Sequence, residues 1–198
     1  VNVNESKSKE YIFLSSLSTL TSECKFIKSS EPFSDFRLIQ KRTKNLEYSV
    51  SHFKDKFYII NNKDGAHNYK ISKTSITNPS SENWIDILGH RDHVLLEDFE
   101  IFNDHWVVTE RENGLTRFKV KRWDETEDYF IPLPGETYSL SRSLNPNFET
   151  SNFRFAYNSL TIPTTIFEYN MNSKTKKILK QRKVPKSKFK SDNYIEKR

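Results

Sequence analysis

Glycine is scarce in this chain. Four glycines, Gly65, Gly89, Gly114 and Gly135, stand in 198 residues. None sits in a G-x-S-x-G context, so the strand-to-helix elbow that carries an α/β-hydrolase nucleophile is not encoded here. Nor do they form a Gly-rich phosphate loop. Cys24 is the single cysteine, which excludes a disulfide within the chain and any multi-cysteine metal site. No apolar run is long enough to span a bilayer as a helix. The opening VNVNESKSKEY lacks the apolar core of a secretory leader. It begins with Val rather than Met, so an excerpt, a processed product and an alternative start are all open. A cytoplasmic location is expected. Helix signals are almost absent.

What is present is charge, aromatic side chains and strand patterning. Mean hydropathy is −0.78, low enough to raise the question of disorder, but the aromatic fraction of 14% argues for a folded β-rich domain. KEYIFLSS, ECKFIKS, NLEYSVSHF, KFYIINN and NYKISKT read as strands. In TRFKVKRW, Phe118 and Val120 take one face while Lys119 and Lys121 take the other. Asn113-Gly114 is a two-residue hairpin signal, and NKDGAH around Gly65 reads as a turn of the same type. Four groups of about four short strands follow, at 1–42, 43–89, 90–134 and 135–182. That spacing suits β-propeller blades, with a β-sandwich as the competing architecture. Residues 183–198 form a basic linker, and the net charge is +6. No Arg/aromatic stacking pattern accompanies the basic tail, so nucleic acid and membrane are not expected partners.

Candidates for chemistry are few. In NSLTIPTTIFEYNM, Ser159 has no flanking glycine and Pro163 suits a turn, so Ser159 is read as a turn residue before a strand through Phe167, Tyr169 and Met171. GHRDHVLLEDFE places His90, Asp92 and His93 close together. A metal is one reading, but no H-E-x-x-H spacing supports it, and a polar connecting loop is preferred. The carboxylate pairs Glu97/Asp98 and Glu125/Glu127 read as solvated charges. Trp84, Trp106 and Trp123 are spaced like one large packing residue per sheet. No catalytic, cofactor-binding or metal residue is assigned.

HRDHVLLEDFEIFNDHWVVTERENGLTRFKV resembles the propeller of the prolyl oligopeptidase family, in its oligopeptidase B (protease II) branch. NPNFETSNFRFAYNSLTIPTTIFEYNM, STLTSE, NKDGAHNYKI and SENWIDILGHRD resemble further segments of that family, in the family's order. Leu17 departs from the pattern, standing where a small residue is expected, and the last strand is unusually rich in lysine.

The resemblance implies an all-β partial propeller of the seven-bladed type, about four blades from the C-terminal part of the N-terminal domain. In that family an α/β-hydrolase domain with a Ser-Asp-His triad cuts short peptides, after Lys or Arg in this branch, and the propeller restricts access. NYIEKR, Asn193 to Arg198, would lead into that hydrolase domain. The chain alone is therefore expected to be inactive and to need no cofactor. Its expected partner is a missing or separately encoded hydrolase domain, with short basic peptides bound in the intact enzyme alone. Arg91, Asp92, Glu97 and Asp98 are expected in loops at a domain interface or between blades. A four-blade piece would leave an apolar face on its first and last blades. A free-standing interaction module and a basic-tail binder of nucleic acid or an anionic surface are the alternatives.

Overall fold

The computed structural model describes residues 1–184, 193, 194 and 197, and among them regular structure is almost entirely β. Sheet 1 contains β1 (Asn2–Glu5), β2 (Tyr11–Ser18), β3 (Thr21–Lys28) and β4 (Arg37–Gln40). Sheet 2 contains β5 (Tyr48–Phe53), β6 (Lys56–Asn61), β7 (Lys70–Ser75) and β8 (Ile85–Leu88). Sheet 3 contains β9 (Val94–Ile101), β10 (His105–Glu112), β11 (Leu115–Arg122) and β12 (Asp128–Phe130). Sheet 4 contains β13 (Ser139–Arg142), β14 (Asn152–Asn158), β15 (Thr165–Asn170) and β16 (Thr175–Gln181). In every sheet the strands lie side by side in sequence order. Two short 3-10 turns, Lys63–Gly65 and Ser81–Asn83, lie in the connections of sheet 2. No helix among the described residues is long and apolar enough to cross a membrane. The linker assigned to 183–198 lies largely outside the described residues.

The chain divides into two compact units, residues 1–96 and 97–198. In the first unit, period-2 alternation sends Tyr11, Phe13, Cys24 and Phe26 of sheet 1 into a core with Tyr48, Phe57 and Ile59 of sheet 2. Phe57 meets Phe26 edge-to-face at 4.8 Å, and burying each such ring contributes about 1.5–3 kcal/mol. Tyr48 stitches the sheets: its hydroxyl donates to the Gln40 carbonyl at 2.6 Å and accepts from the Cys24 amide at 2.7 Å. Burial pushes the Cys24 thiol up to about 11, so it is an inert packing group.

In the second unit the hairpin between β10 and β11 reverses through Asn113 and Gly114, both left-handed at φ 49° and 77°, as a type I′ turn requires. Phe118 and Val120 then point into a core with Phe153, Phe155, Tyr157, Phe167 and Tyr169. Lys119 and Lys121, on the other face, pair with Asp128 at 3.0 and 2.7 Å. Arg142 of β13 holds sheet 4 to sheet 3 by pairing with Asp98, at 2.7 Å, and with Glu100.

Three readings of the sequence need correction. The turn at Gly65 is not a two-residue reversal: Asn61 pairs with Lys70, leaving residues 62–69 as an eight-residue loop. Asp64 and Gly65 are left-handed, but they sit inside the 3-10 turn Lys63–Gly65, which the Ala66 amide caps by donating to the Lys63 carbonyl. The tryptophans are not spread one per sheet, because Trp106 and Trp123 stack on each other at 5.8 Å. Three of the four carboxylates, Glu97, Asp98 and Glu127, are not merely solvated. Glu97 pairs with Arg111 of the same sheet at 2.7 Å, while Asp98 with Arg142, and Glu127 with Lys174 at 3.1 Å, pair between sheets 3 and 4.

Candidate functional site

Antiparallel order in sheet 2 puts the start of β5, the β6–β7 loop and the end of β8 at one end of that sheet. An open cleft lies there, lined by Lys44, Asn45, Lys63, Asp64 and His67 among others. Beneath it runs a polar chain inside the first unit. Fully buried Asn61 donates to Ser72 Oγ at 2.9 Å, and Ser72 donates to Asp86 at 2.7 Å. Lys70 Nζ reaches Asp86 at 3.0 Å and Asp64 at 3.4 Å, which fixes the 62–69 loop from below. From the side, Asn68 Nδ2 donates to the carbonyls of Arg91 and Asp92 at 3.3 and 2.7 Å.

That clasp brings His67 to the loop 89–93. His67 Nε2 lies 3.8 Å from Asp92 Oδ1, and His90 Nδ1 lies 3.7 Å from the same oxygen. The two imidazoles meet edge-on at 4.5 Å. His90 and Asp92 are therefore together, as their spacing suggested, but the third member is His67 and not His93. His67 stands 23 residues before His90 in sequence, so no local motif could have named it.

A family profile described as "Prolyl oligopeptidase, N-terminal beta-propeller domain" matches residues 1–182. The chain belongs to this family. Dipeptidyl aminopeptidase BI of Pseudoxanthomonas mexicana is 34% identical over 93% of the chain and 25% of its own length. Protease 2 of Moraxella lacunata is 27% identical over 89% of the chain and 25% of its own length. The chain thus spans about a quarter of the length of these curated relatives. Oligopeptidase B from Trypanosoma brucei, solved in a closed form with covalently bound antipain, superposes with a TM-score of 0.90 at 24% identity over 98% of this chain and 29% of that one. That likeness carries the propeller fold.

Within this prolyl oligopeptidase propeller, the residues singled out from sequence have defined places. Arg91 and Asp92 are in the loop at the sheet 2 cleft, where their carbonyls hold Asn68. Glu97 and Asp98 lie on β9 and are engaged by Arg111 and Arg142. Ser159 is a turn residue: its amide donates to the Ile162 carbonyl at 3.0 Å, and its hydroxyl accepts from the amides of Thr161 and Ile162 at 3.3 and 3.0 Å. It lines a second open cleft, with Leu160, Arg182 and Lys183, at the corresponding end of sheet 4.

One serine does meet a histidine. Ser8 Oγ lies 2.7 Å from His52 Nδ1, and His52 Nε2 bonds the Lys54 carbonyl at 2.5 Å. A carbonyl stands where a triad would place a carboxylate, and neither cleft is lined by Ser8 or His52. Burial is the main reason His52 titrates below its ordinary value. This pair is a satisfied polar contact at the edge of the core.

Proposed function

We propose that this chain is the non-catalytic propeller portion of an oligopeptidase-B-like serine peptidase. In the complete enzyme it gates the access of short peptides, cleaved after Lys or Arg, to the active site of a separate hydrolase domain. The observation that carries this reading is the family match across residues 1–182, joined to a curated peptidase relative of which the chain covers a quarter. The chemistry of the chain supports it: Ser159 is committed to a turn and Ser8–His52 lacks an acid. The mechanism is steric. A rigid β scaffold over the active site admits peptides that are small and unfolded, and its closure excludes water from the reacting groups.

The test compares the complete enzyme with its isolated hydrolase domain on two substrates, a short Arg reporter peptide and the same sequence within a long unfolded chain. The complete enzyme prefers the short peptide, and removing the propeller collapses that preference. An unchanged preference contradicts gating.

A further inference from the structure

Three ligand atoms at the loop end of sheet 2 converge with no hydrogen bond to occupy them. His67 Nε2 and His90 Nδ1 stand 3.8 and 3.7 Å from Asp92 Oδ1, and all three atoms lie within 4.8 Å of one another. These spacings are beyond hydrogen-bond range. No other hydrogen bond among the described residues engages these side-chain atoms. His90 Nε2 is buried and also without a hydrogen-bond partner.

We propose that His67, His90 and Asp92 bind a divalent zinc-class cation that staples the 62–69 loop to the 89–93 loop. Two imidazoles and one carboxylate make a borderline donor set, which suits Zn²⁺ and leaves a position for water. Ca²⁺ and Mg²⁺ need more oxygen ligands than this cluster supplies.

Geometry agrees with the assignment. Bonds of about 2.0–2.1 Å to a tetrahedral ion place ligand atoms roughly 3.4 Å apart. The two contacts to Asp92 therefore need to close by only a few tenths of an ångström, and the third spacing by more. His67 and Asp92 can make that adjustment, because their side chains are 65% and 87% exposed. The backbone needs no rebuilding. Asn68 already bridges the two loops through the Arg91 and Asp92 carbonyls, and its own carbonyl accepts the Leu96 amide at 3.0 Å. Asn68 thereby fixes the backbone of the two loops that carry the ligands. All the residues concerned belong to one compact unit.

The experiment titrates the metal-free full chain with Zn²⁺ against a chromophoric chelator at neutral pH. A parallel titration with Co²⁺ follows visible absorption. One equivalent is expected to bind, and the Co²⁺ form should show the bands of a low-coordinate N/O site. His67→Ala should weaken binding by more than about tenfold, and Asp92→Asn should do the same. His93→Ala, adjacent in sequence but outside the cluster, should leave the affinity unchanged. The exposed position of His67 keeps its variant folded, which circular dichroism checks. Absence of stoichiometric binding overturns the proposal. So does affinity insensitive to His67→Ala, or equally sensitive to His93→Ala.

Discussion

Sheets 1 and 4 share one strand plan and differ in the face that each turns away from its core. In sheet 1, register aligns Val3, Leu14, Lys25 and Leu38 across the four strands, with Ile12 beside Leu14. Val3 and Leu38 are exposed, and Ile12 and Leu14 are half-buried. In sheet 4 the corresponding row is Arg154, Glu168 and Lys177. Glu168 accepts from Arg154 at 2.7 Å and from Lys177 at 2.9 Å, and these two cations hold its carboxyl below the usual range. The expectation of an apolar face on the first and last blades is met in sheet 1 by Val3 and Leu38, whereas in sheet 4 the exposed apolar side chains are Ile178 and Leu179 of β16 and the row through Glu168 is charged. Strand order and inward alternation set the fold; the polarity of the other face is independent of them.

The strongest test of that separation is at the inward faces, which should behave alike. Phe26→Ala in the first unit and Phe153→Ala in the second remove rings 1% and 0% exposed. Each should destabilise its unit by about 3–5 kcal/mol in urea denaturation. A much smaller loss in either unit would mean that its core is not the stabilising element.

Next comes the ion triad. Arg154→Met combined with Lys177→Met strands Glu168, whose side chain is 7% exposed. The loss should be about 1–3 kcal/mol, discounted because both cations are partly in water. Because Glu168 is depressed in the folded state, its contribution is full above the ordinary carboxylate value of 4.5 and fades as pH falls through its lowered folded value. The double variant should lose that acid dependence, and an unchanged acid limb would dissociate Glu168 from it.

Each unit also buries one histidine completely, His52 and His105. His52 has both ring nitrogens hydrogen-bonded, whereas neither nitrogen of His105 has a hydrogen-bond partner among the described residues. Burial pushes both below 6.5, and Arg122 adds to the effect at His105. The unfolded chain then binds more protons, so stability is full above 6.5 and declines as pH falls beneath it. His105→Leu should flatten that decline with little loss at pH 8, while His52→Leu should cost about 0.5–1.5 kcal/mol per lost bond. Thermal melts between pH 5 and pH 8 decide this.

The smallest effect is on the sheet 1 face. Val3→Ser with Leu38→Ser should change stability by less than about 0.5 kcal/mol. The same pair should lower the binding of a hydrophobic dye, and unchanged dye binding would place the exposed apolar surface elsewhere.

The strands were legible because alternation is local. TRFKVKRW shows its buried Phe118 and Val120 within eight letters, and Asn113-Gly114 announces its own turn. The turn role of Ser159 was also legible, from Pro163 and the lack of neighbouring glycine. The histidine cluster was not. His93 was favoured by adjacency, whereas His67 reaches Asp92 through the Asn61–Lys70 register and the Asn68 clasp, both tertiary. The sheet 4 triad was hidden for the same reason, since Arg154, Glu168 and Lys177 become neighbours only when three strands pair. Lysines in the last strand looked like a departure from the family, and one of them neutralises a buried carboxylate.

Hydrolysis of an Arg reporter peptide by the isolated chain tests the central claim directly. A propeller portion without catalytic machinery should leave the rate at that of buffer, identical for the wild-type chain and for Ser159→Ala. Turnover above buffer that is abolished by Ser159→Ala or Ser8→Ala would contradict it.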